Sequence, residues 1–340
     1  MAHEIEVRSG NACMFYAGEA PWHGLGVQVE KEVTSAAAIK LAGLDWRIEK
    51  RPLYIAGSAM VDGIPVLGTQ APNHHAVVRA DDNAILGVVG GQYEPIGNAQ
   101  CFDLMDEIVG SGRAVFHTAA SIRGGRQVFM TVKLPGNAKV AKDKIDKFLL
   151  LTTSHDGSLM LNIRWTPIRV VCKNTMTAAL RDDMATEINV KHTPNYRGRI
   201  AEARRVLELT EEYYRVMEEE FGKLVETPMT KDDLKVFVDD LFPATKRGED
   251  GKEIVTPAIQ DKRDAVFFLA ENGTGIKPYV GSKWAAFNAV AEWIDHVGAC
   301  RSKDGDTEVQ ARESRMSRIL GPSYGDLRQY AFEQLQGQVN

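Results

Sequence analysis

TTSHDGSLMLNIRWTPIRVVCKNTMTAA, residues 152–179, decides the reading of the fold. Ser154, His155, Asp156 and Gly157 form a turn signal between two apolar runs, Phe148–Leu151 and Leu159–Trp165. Arg164 lies next to the end of the second run, Arg169 and Lys173 follow it, and Asn174 and Thr175 mark a helix start. The expected unit is strand–turn–strand–helix, with three cations gathered near its end. Such a unit presents an anion-facing surface, but it does not by itself name a reaction.

Upstream, Ala114–Ile122 and Gln127–Leu134 bracket Arg123-Gly124-Gly125-Arg126, and the paired glycines supply the positive φ angles a tight hairpin demands. His75–Arg79 and Ile85–Val89 flank a second turn at Asp81, Asp82 and Asn83, and Trp46–Ile55 alternates as a strand. Phe102, Met105, Ile108 and Val109 give Asn98–Val109 a helical spacing, and Thr34–Leu44 reads as a short helix capped by Thr34 or Ser35 and stopped near Gly43. Residues 136–147, GNAKVAKDKIDK, read as a polar connection. Residues 1–30 lack periodicity and read as an arm. Because Phe15, Tyr16 and Trp22 would be a liability if exposed, the arm is expected to pack on its own core or on a neighbouring subunit.

After Met176 the pattern turns helical, with helices expected at Arg197–Val225, Lys231–Leu241, Ala258–Glu271, Lys283–His296 and Thr307–Leu320. Thr245–Lys252 is a charged loop, and the aromatic stripe within Trp284–His296 is expected to be core. The expected class is α+β, a strand-rich N-terminal half with antiparallel hairpins and a helical C-terminal half. The organisation expected is an arm (residues 1–33), a β-rich core domain with a basic surface (34–195) and a helical domain (196–340).

Composition excludes several classes. The hydrophobic fraction of 44% and charged fraction of 26% are ordinary for a globular chain of 340 residues. No apolar run approaches the ~18 residues a membrane helix needs. MAHEIEVRSGN lacks the pattern of a signal peptide, so the expectation is a cytoplasmic protein without a membrane partner. Cys13, Cys101, Cys172 and Cys300 form no C-x-x-C pair and the histidines form no array, so free thiols and no metal are expected. Gly275–Lys283 misses the phosphate-loop spacing, because five residues separate its glycines and Ser282 precedes the lysine. No nucleotide or other cofactor is expected.

The net charge of -5 is unevenly distributed. Residues 1–112 hold 7 basic against 14 acidic residues, residues 113–215 hold 18 against 10, and residues 216–340 hold 16 against 22. A basic middle third permits a local nucleic-acid surface on an acidic protein, or is neutralised by its flanks within the fold.

Five segments carry a family resemblance: PWHGLG (21–26), LGVVGGQYEPIGN (86–98), TAASIRGGRQVFMTVKLP (118–135), LLLTTSHDGS (149–158) and RVVCKNTM (169–176). Together they resemble the phage/plasmid-like proteins, a family built on a domain of unknown function found in phages, prophages and plasmids. The resemblance extends over roughly residues 10–300. The β-rich half is also similar in layout to the phage single-strand annealing proteins, an analogy that implies ATP-independent recombination.

On the functional reading, Arg164, Arg169 and Lys173 grip phosphates beside helix-start amides, and Trp165 offers a stacking surface worth ~1–3 kcal/mol per base. Arg123 and Arg126 at the hairpin tip reach toward a DNA groove. On the plainer reading Trp165 is core, the central arginines pair with carboxylates, and the tip is merely solvated. Ser154, His155 and Asp156 are sequence neighbours, so they cannot form a catalytic relay and are read as a turn. His23 is read as satisfying a hydrogen bond, and Cys172 as a core thiol.

The first expectation is a single-stranded DNA-binding and annealing protein that is non-enzymatic and assembles as a homo-oligomeric ring or filament. The alternatives are a phage-encoded interaction protein that inhibits a host or defence factor, and an enzyme acting on nucleotides or nucleic acid through His155 and Asp156.

Overall fold

Apolar residues at every second position set the middle of the chain into strands, and the sheet they form carries everything else. The computed structural model of the chain describes residues 5–18, 25–61, 63–109, 115–169, 187–196, 198, 210–244, 246–247, 253–298 and 322–337. Strands β1 (Val7–Arg8) and β2 (Asn11–Ala12) make a short hairpin, followed by β3 (Met14–Ala17), β4 (Val27–Val29) and helix α1 (Ser35–Leu41). Next come β5 (Ile48–Val61), β6 (Ile64–Arg79) and β7 (Ile85–Gly90), a three-stranded antiparallel sheet, and then helix α2 (Asn98–Val109). The main sheet adds β8 (Val115–Ile122), β9 (Gln127–Val140), β10 (Asp143–Ser154), β11 (Leu161–Trp165), β12 (Ile168–Arg169) and β13 (Glu187–Val190). Its order is β13-β11-β10-β9-β8-β3-β4 with β12 beside β10, antiparallel throughout except for β3 against β4.

Alternation divides the apolar residues between two faces. Phe15, Ala119, Met130, Val132, Leu149, Leu151, Ile163 and Trp165 join the large core shared with the helices. Met14, Tyr16, Ala120, Ile122, Phe129 and Leu150 form a smaller core on the other face, closed by Ile5. Five α-helices follow among the described residues: α3 (Thr210–Glu226), α4 (Lys231–Leu241), α5 (Pro257–Asn272), α6 (Lys283–Glu292) and α7 (Pro322–Gly337). In α4 the sequence Thr230-Lys231-Asp232-Asp233 forms a capping box, satisfying two backbone donors that the first turn would leave open. On α3, Tyr213 stacks on Trp165 at 4.9 Å and Tyr214 Oη accepts from the Phe148 amide at 3.0 Å, which docks the helix on the sheet. Phe221, Trp284, Phe287 and Phe332 pack together, and a buried ion pair from Arg328 to Asp295 at 2.7 Å ties α7 to the π-helical turn Trp293–Val297.

The α+β reading holds, with strands in the first half and helices in the second. Three expectations are corrected. The described residues of 1–33 are short strands rather than an irregular arm, and they pack on the chain's own core, one of the two placements expected: β3 lies between β8 and β4, and Phe15 is wholly buried. Residues 136–147 are not a connection but the ends of β9 and β10, with Ala138, Val140 and Ile145 inward and charged residues between them. The strand expected at 46–55 continues to Val61 and pairs with β6, which is two residues longer at 16 against 14. The helices expected at Thr307–Leu320 and from Asn174 lie outside the described residues, as does most of 197–209, whereas α7 was not anticipated.

Gly87 sets the contact between the two sheets. A Cβ at this position would lie 2.5 Å from Asp156 Cα, so β7 crosses the signature turn at a distance only glycine allows. We expect Gly87→Ala to cost ~1–3 kcal/mol in urea denaturation, as an overpacked site does. Gly90→Ala, three residues along the same strand and facing open space, is expected to stay within ~0.5 kcal/mol. Equal effects of the two changes would reject the close approach.

Candidate nucleic-acid interface

The tip between β8 and β9 closes on the pair Ile122 and Gln127. Arg123, Gly124 and Gly125 take φ values of 55°, 67° and 88°, the left-handed run that the paired glycines were expected to permit. A Cβ at Gly125 would lie 3.2 Å from Arg79 Nη1, a tight contact that adds to the constraint its φ already sets. Arg123 and Arg126 are both exposed, while the Arg126 carbonyl accepts from the His155 amide at 2.7 Å. The signature turn therefore holds the base of the basic tip.

A second group of cations, missed in the sequence, stands at the other end of β9. Ala141 turns the chain with φ 51°, and Lys139 pairs directly across from Lys144. Lys139, Lys142 and Lys144 are exposed and make no ion pair among the described residues. Like charges directly opposite on paired strands repel one another, so this end favours an anion. This end is clamped to the helical half: the Lys139 amide donates to Glu218 at 2.7 Å, the Lys142 amide to Tyr279 Oη at 3.3 Å, and Trp284 Nε1 to the Asp143 carboxylate at 3.2 Å. The signal that could have found these lysines is the alternation Ala138-Lys139-Val140, which marks strand rather than loop. At a rise of ~3.3 Å per residue, β9 separates the two groups by roughly 40 Å. Between them Lys133 is neutralised by Asp146 at 3.4 Å and Glu32 at 3.6 Å, at the wall of an open cleft of about 420 Å³.

The central candidates are placed differently from one another. Arg164 is half-buried in β11, in a cross-strand row with Leu150 and Glu187. Burial pulls its guanidinium below the ordinary value, Glu187 opposes that shift and Arg328 adds to it. Trp165, on the opposite face, is 1% exposed and stacked on Tyr213, so a base would reach its ring only after Tyr213 moved away. The Arg169 backbone pairs with Ile145; its side chain and all of Lys173 lie outside the described residues, as do Trp22, His23, Cys172 and Cys300.

Ser154 and Asp156 are occupied by the turn. Ser154 Oγ accepts from the Leu159 amide at 2.9 Å, and Asp156 Oδ1 accepts from the Ser158 amide at 2.9 Å. His155 is wholly buried against the edge of Trp46. Asn98 Nδ2 donates to the Leu44 carbonyl, which leaves Asn98 Oδ1 to accept from His155 Nε2 at 3.0 Å and fixes Nδ1 as the unprotonated nitrogen. His192 contacts Thr153 Oγ1 at 3.2 Å and stacks on Tyr93 at 4.8 Å. Nδ1 of each imidazole is buried without a hydrogen-bond partner.

Burial, with a smaller contribution from His192, pushes His155 down to about 3. Burial likewise pushes His192 down to about 4. Burial also raises the thiols Cys13 and Cys101, to about 11 and about 12, as expected of core cysteines. The described residues hold no group of three or more His, Cys, Asp or Glu side chains placed to bind a metal ion. None of their helices is long and apolar enough to cross a membrane.

These imidazoles fold neutral, whereas the unfolded chain takes up protons below about pH 6.5. Their stabilisation is therefore complete above that pH and is lost as pH falls toward 4. Between pH 7 and pH 5 each should remove ~2 kcal/mol of stability. We expect His192→Gln to remove about half of this combined loss, measured by urea denaturation at the two pH values. An unchanged pH dependence would show that His192 is not buried neutral.

No curated protein and no solved structure matches the chain. A family model matches residues 85–316, a span that contains both hairpin ends, the signature turn and helices α3 to α6. By that match, over more than half its length, the chain belongs to the family described as Domain of unknown function (DUF932).

Proposed function

We propose that the protein binds single-stranded DNA non-covalently and promotes annealing without ATP, as part of a phage or other mobile element. One observation carries the reading: exposed cations without ion-pair partners among the described residues, Lys139, Lys142 and Lys144, stand on a rigid hairpin end and repel one another. Arg123 and Arg126 add a second basic point at the far end of the same strand. Phosphates are the ligand chemistry that relieves such repulsion, and backbone contacts leave bases open for pairing. Arg164, Arg169 and Lys173 are secondary in this reading, because Arg164 already has Glu187 beside it.

Fluorescence anisotropy of a labelled oligonucleotide across a salt series tests the proposal. The wild-type affinity should fall steeply with salt through counterion release. Replacing Lys139, Lys142 and Lys144 together by alanine should lower the single-strand salt slope by about 2, at ~0.7 per lost phosphate contact. The melting temperature should hold or rise slightly, since a repelling pair has been removed. Negligible binding at low salt, or an unchanged slope in the triple variant, would overturn the reading and favour a protein partner instead.

A further inference from the structure

Charge on the three central strands of the main sheet is confined to their ends. Residues 115–122 of β8, 127–138 of β9 and 148–154 of β10 contain no Lys, Arg, Asp or Glu except Lys133. Lys133 is offset twice over, by Asp146 and by Glu32, which leaves that point negative by one charge. Beyond this neutral stretch stand Arg123 and Arg126 at one end and Lys139, Lys142 and Lys144 at the other, all exposed. The chain therefore does not present a continuous basic groove along these strands.

The spacing of the two groups is set by paired backbone rather than by a tether. Strand β9 runs between them with β8 on one side and β10 on the other. Its register with β10 is unbroken from Gln127 to Lys133 and again from Asn137 to Val140, with one bulge between. The contour of β9 is roughly 40 Å, and the bend at a bulge makes the straight-line distance somewhat shorter.

We propose that the two ends are separate phosphate-binding points at a fixed spacing, bridged by one single strand only above a threshold length; this rests on the single-strand reading above. At the ~3.4 Å phosphate spacing of one B-DNA strand, the gap takes about 12 nucleotides. A strand stretched to about twice that spacing takes about 6. A strand below the threshold occupies one point and leaves the other open to a second strand. A longer one makes its second contact intramolecularly, which raises affinity without any new kind of contact. Between the points its phosphates meet only Lys133 on these strands, which is already paired, so the middle of the strand is held by its ends alone. A continuous groove would instead add a contact with every nucleotide.

Calorimetric titration of the full chain with oligothymidylates of about 4 to about 16 nucleotides, the range of site sizes in single-strand binders, gives the test. Strands below the threshold should bind two per chain, with a salt slope of ~1.4–2.1 for two or three phosphate contacts. Strands above it should bind one per chain with a slope of ~3.5, for five contacts at ~0.7 each. Their affinity should be higher by ~10²-fold or more. Arg123→Gln with Arg126→Gln should remove the step and return the longest strand to a slope of ~2.1. Arg126→Gln alone should lower that slope by ~0.7 at the wild-type melting temperature, because the fold engages the Arg126 carbonyl. A slope that rises evenly with length, or one strand per chain at every length, would overturn the two-point site and leave the single-strand reading standing. Absence of binding at every length would overturn both.

Discussion

A neutral imidazole sealed from water holds the first half of this molecule together. His155 donates its amide to the Arg126 carbonyl and its Nε2 proton to Asn98, and it rests against the edge of Trp46. One residue thus joins the signature turn to the basic tip, to α2 and to the segment entering β5. A charged imidazole here would be a buried cation close to His192 and Arg79, and burial disfavours it strongly. Arg79 is satisfied separately, by Glu6 at 2.5 Å and by the face of Trp46 at 5.0 Å, while Ser121 donates to the same Glu6 at 2.7 Å. Buried polar groups so heavily committed fix one arrangement of the two sheets, because any slip would strand a donor or a charge.

The tip and the lysine end differ in what supports them. The Arg123–Arg126 tip is held from within, by backbone conformation, by the contact of Gly125 with Arg79 and by the His155 amide. The lysine end is held from outside, by Glu218, Tyr279 and Trp284 of the helical half. Those clamps engage backbone and Asp143 rather than ammonium groups, so they position Lys139, Lys142 and Lys144 without neutralising them. That distinction separates the lysines from Lys133, whose ammonium is ion-paired to Asp146 and Glu32.

Much of the fold was legible where one local rule dominated. Gly124-Gly125 demanded positive φ and received it, the Lys231–Leu241 helix starts and stops where its cap and periodicity indicate, and the aromatic stripe from Trp284 is core. Errors arose where composition and period disagreed. In residues 136–147 the many lysines suggested loop, but Ala138, Val140 and Ile145 kept a period of two and were buried as strand. In residues 1–33 the strands are so short that no period could be read, and β3 is fixed by partners more than a hundred residues away on β8. Arg164 and Trp165 were grouped because they are adjacent, yet adjacency in a strand sends side chains to opposite faces. Only one of the two can face a ligand on the solvent side, and Trp165 is the one turned into the core.

The first 33 residues and the β5–β6 ribbon dispose of their apolar residues differently. Aromatic residues in the former were expected to pack on the chain's own core or on a neighbouring subunit, and Phe15 and Tyr16 take the first course, burying their apolar surface inside the main sheet. In the outer part of β5 and β6, residues 53–73 with one charged side chain, Tyr54, Ile55 and Met60 stay exposed. Hydrophobicity alone does not distinguish these cases, because both stretches are apolar. Pairing does: β3 has a strand on each side, whereas the outer part of the β5–β6 ribbon has none among the described residues. A strand in mid-sheet has its backbone groups satisfied and its side chains covered, while a lone ribbon has to find both elsewhere.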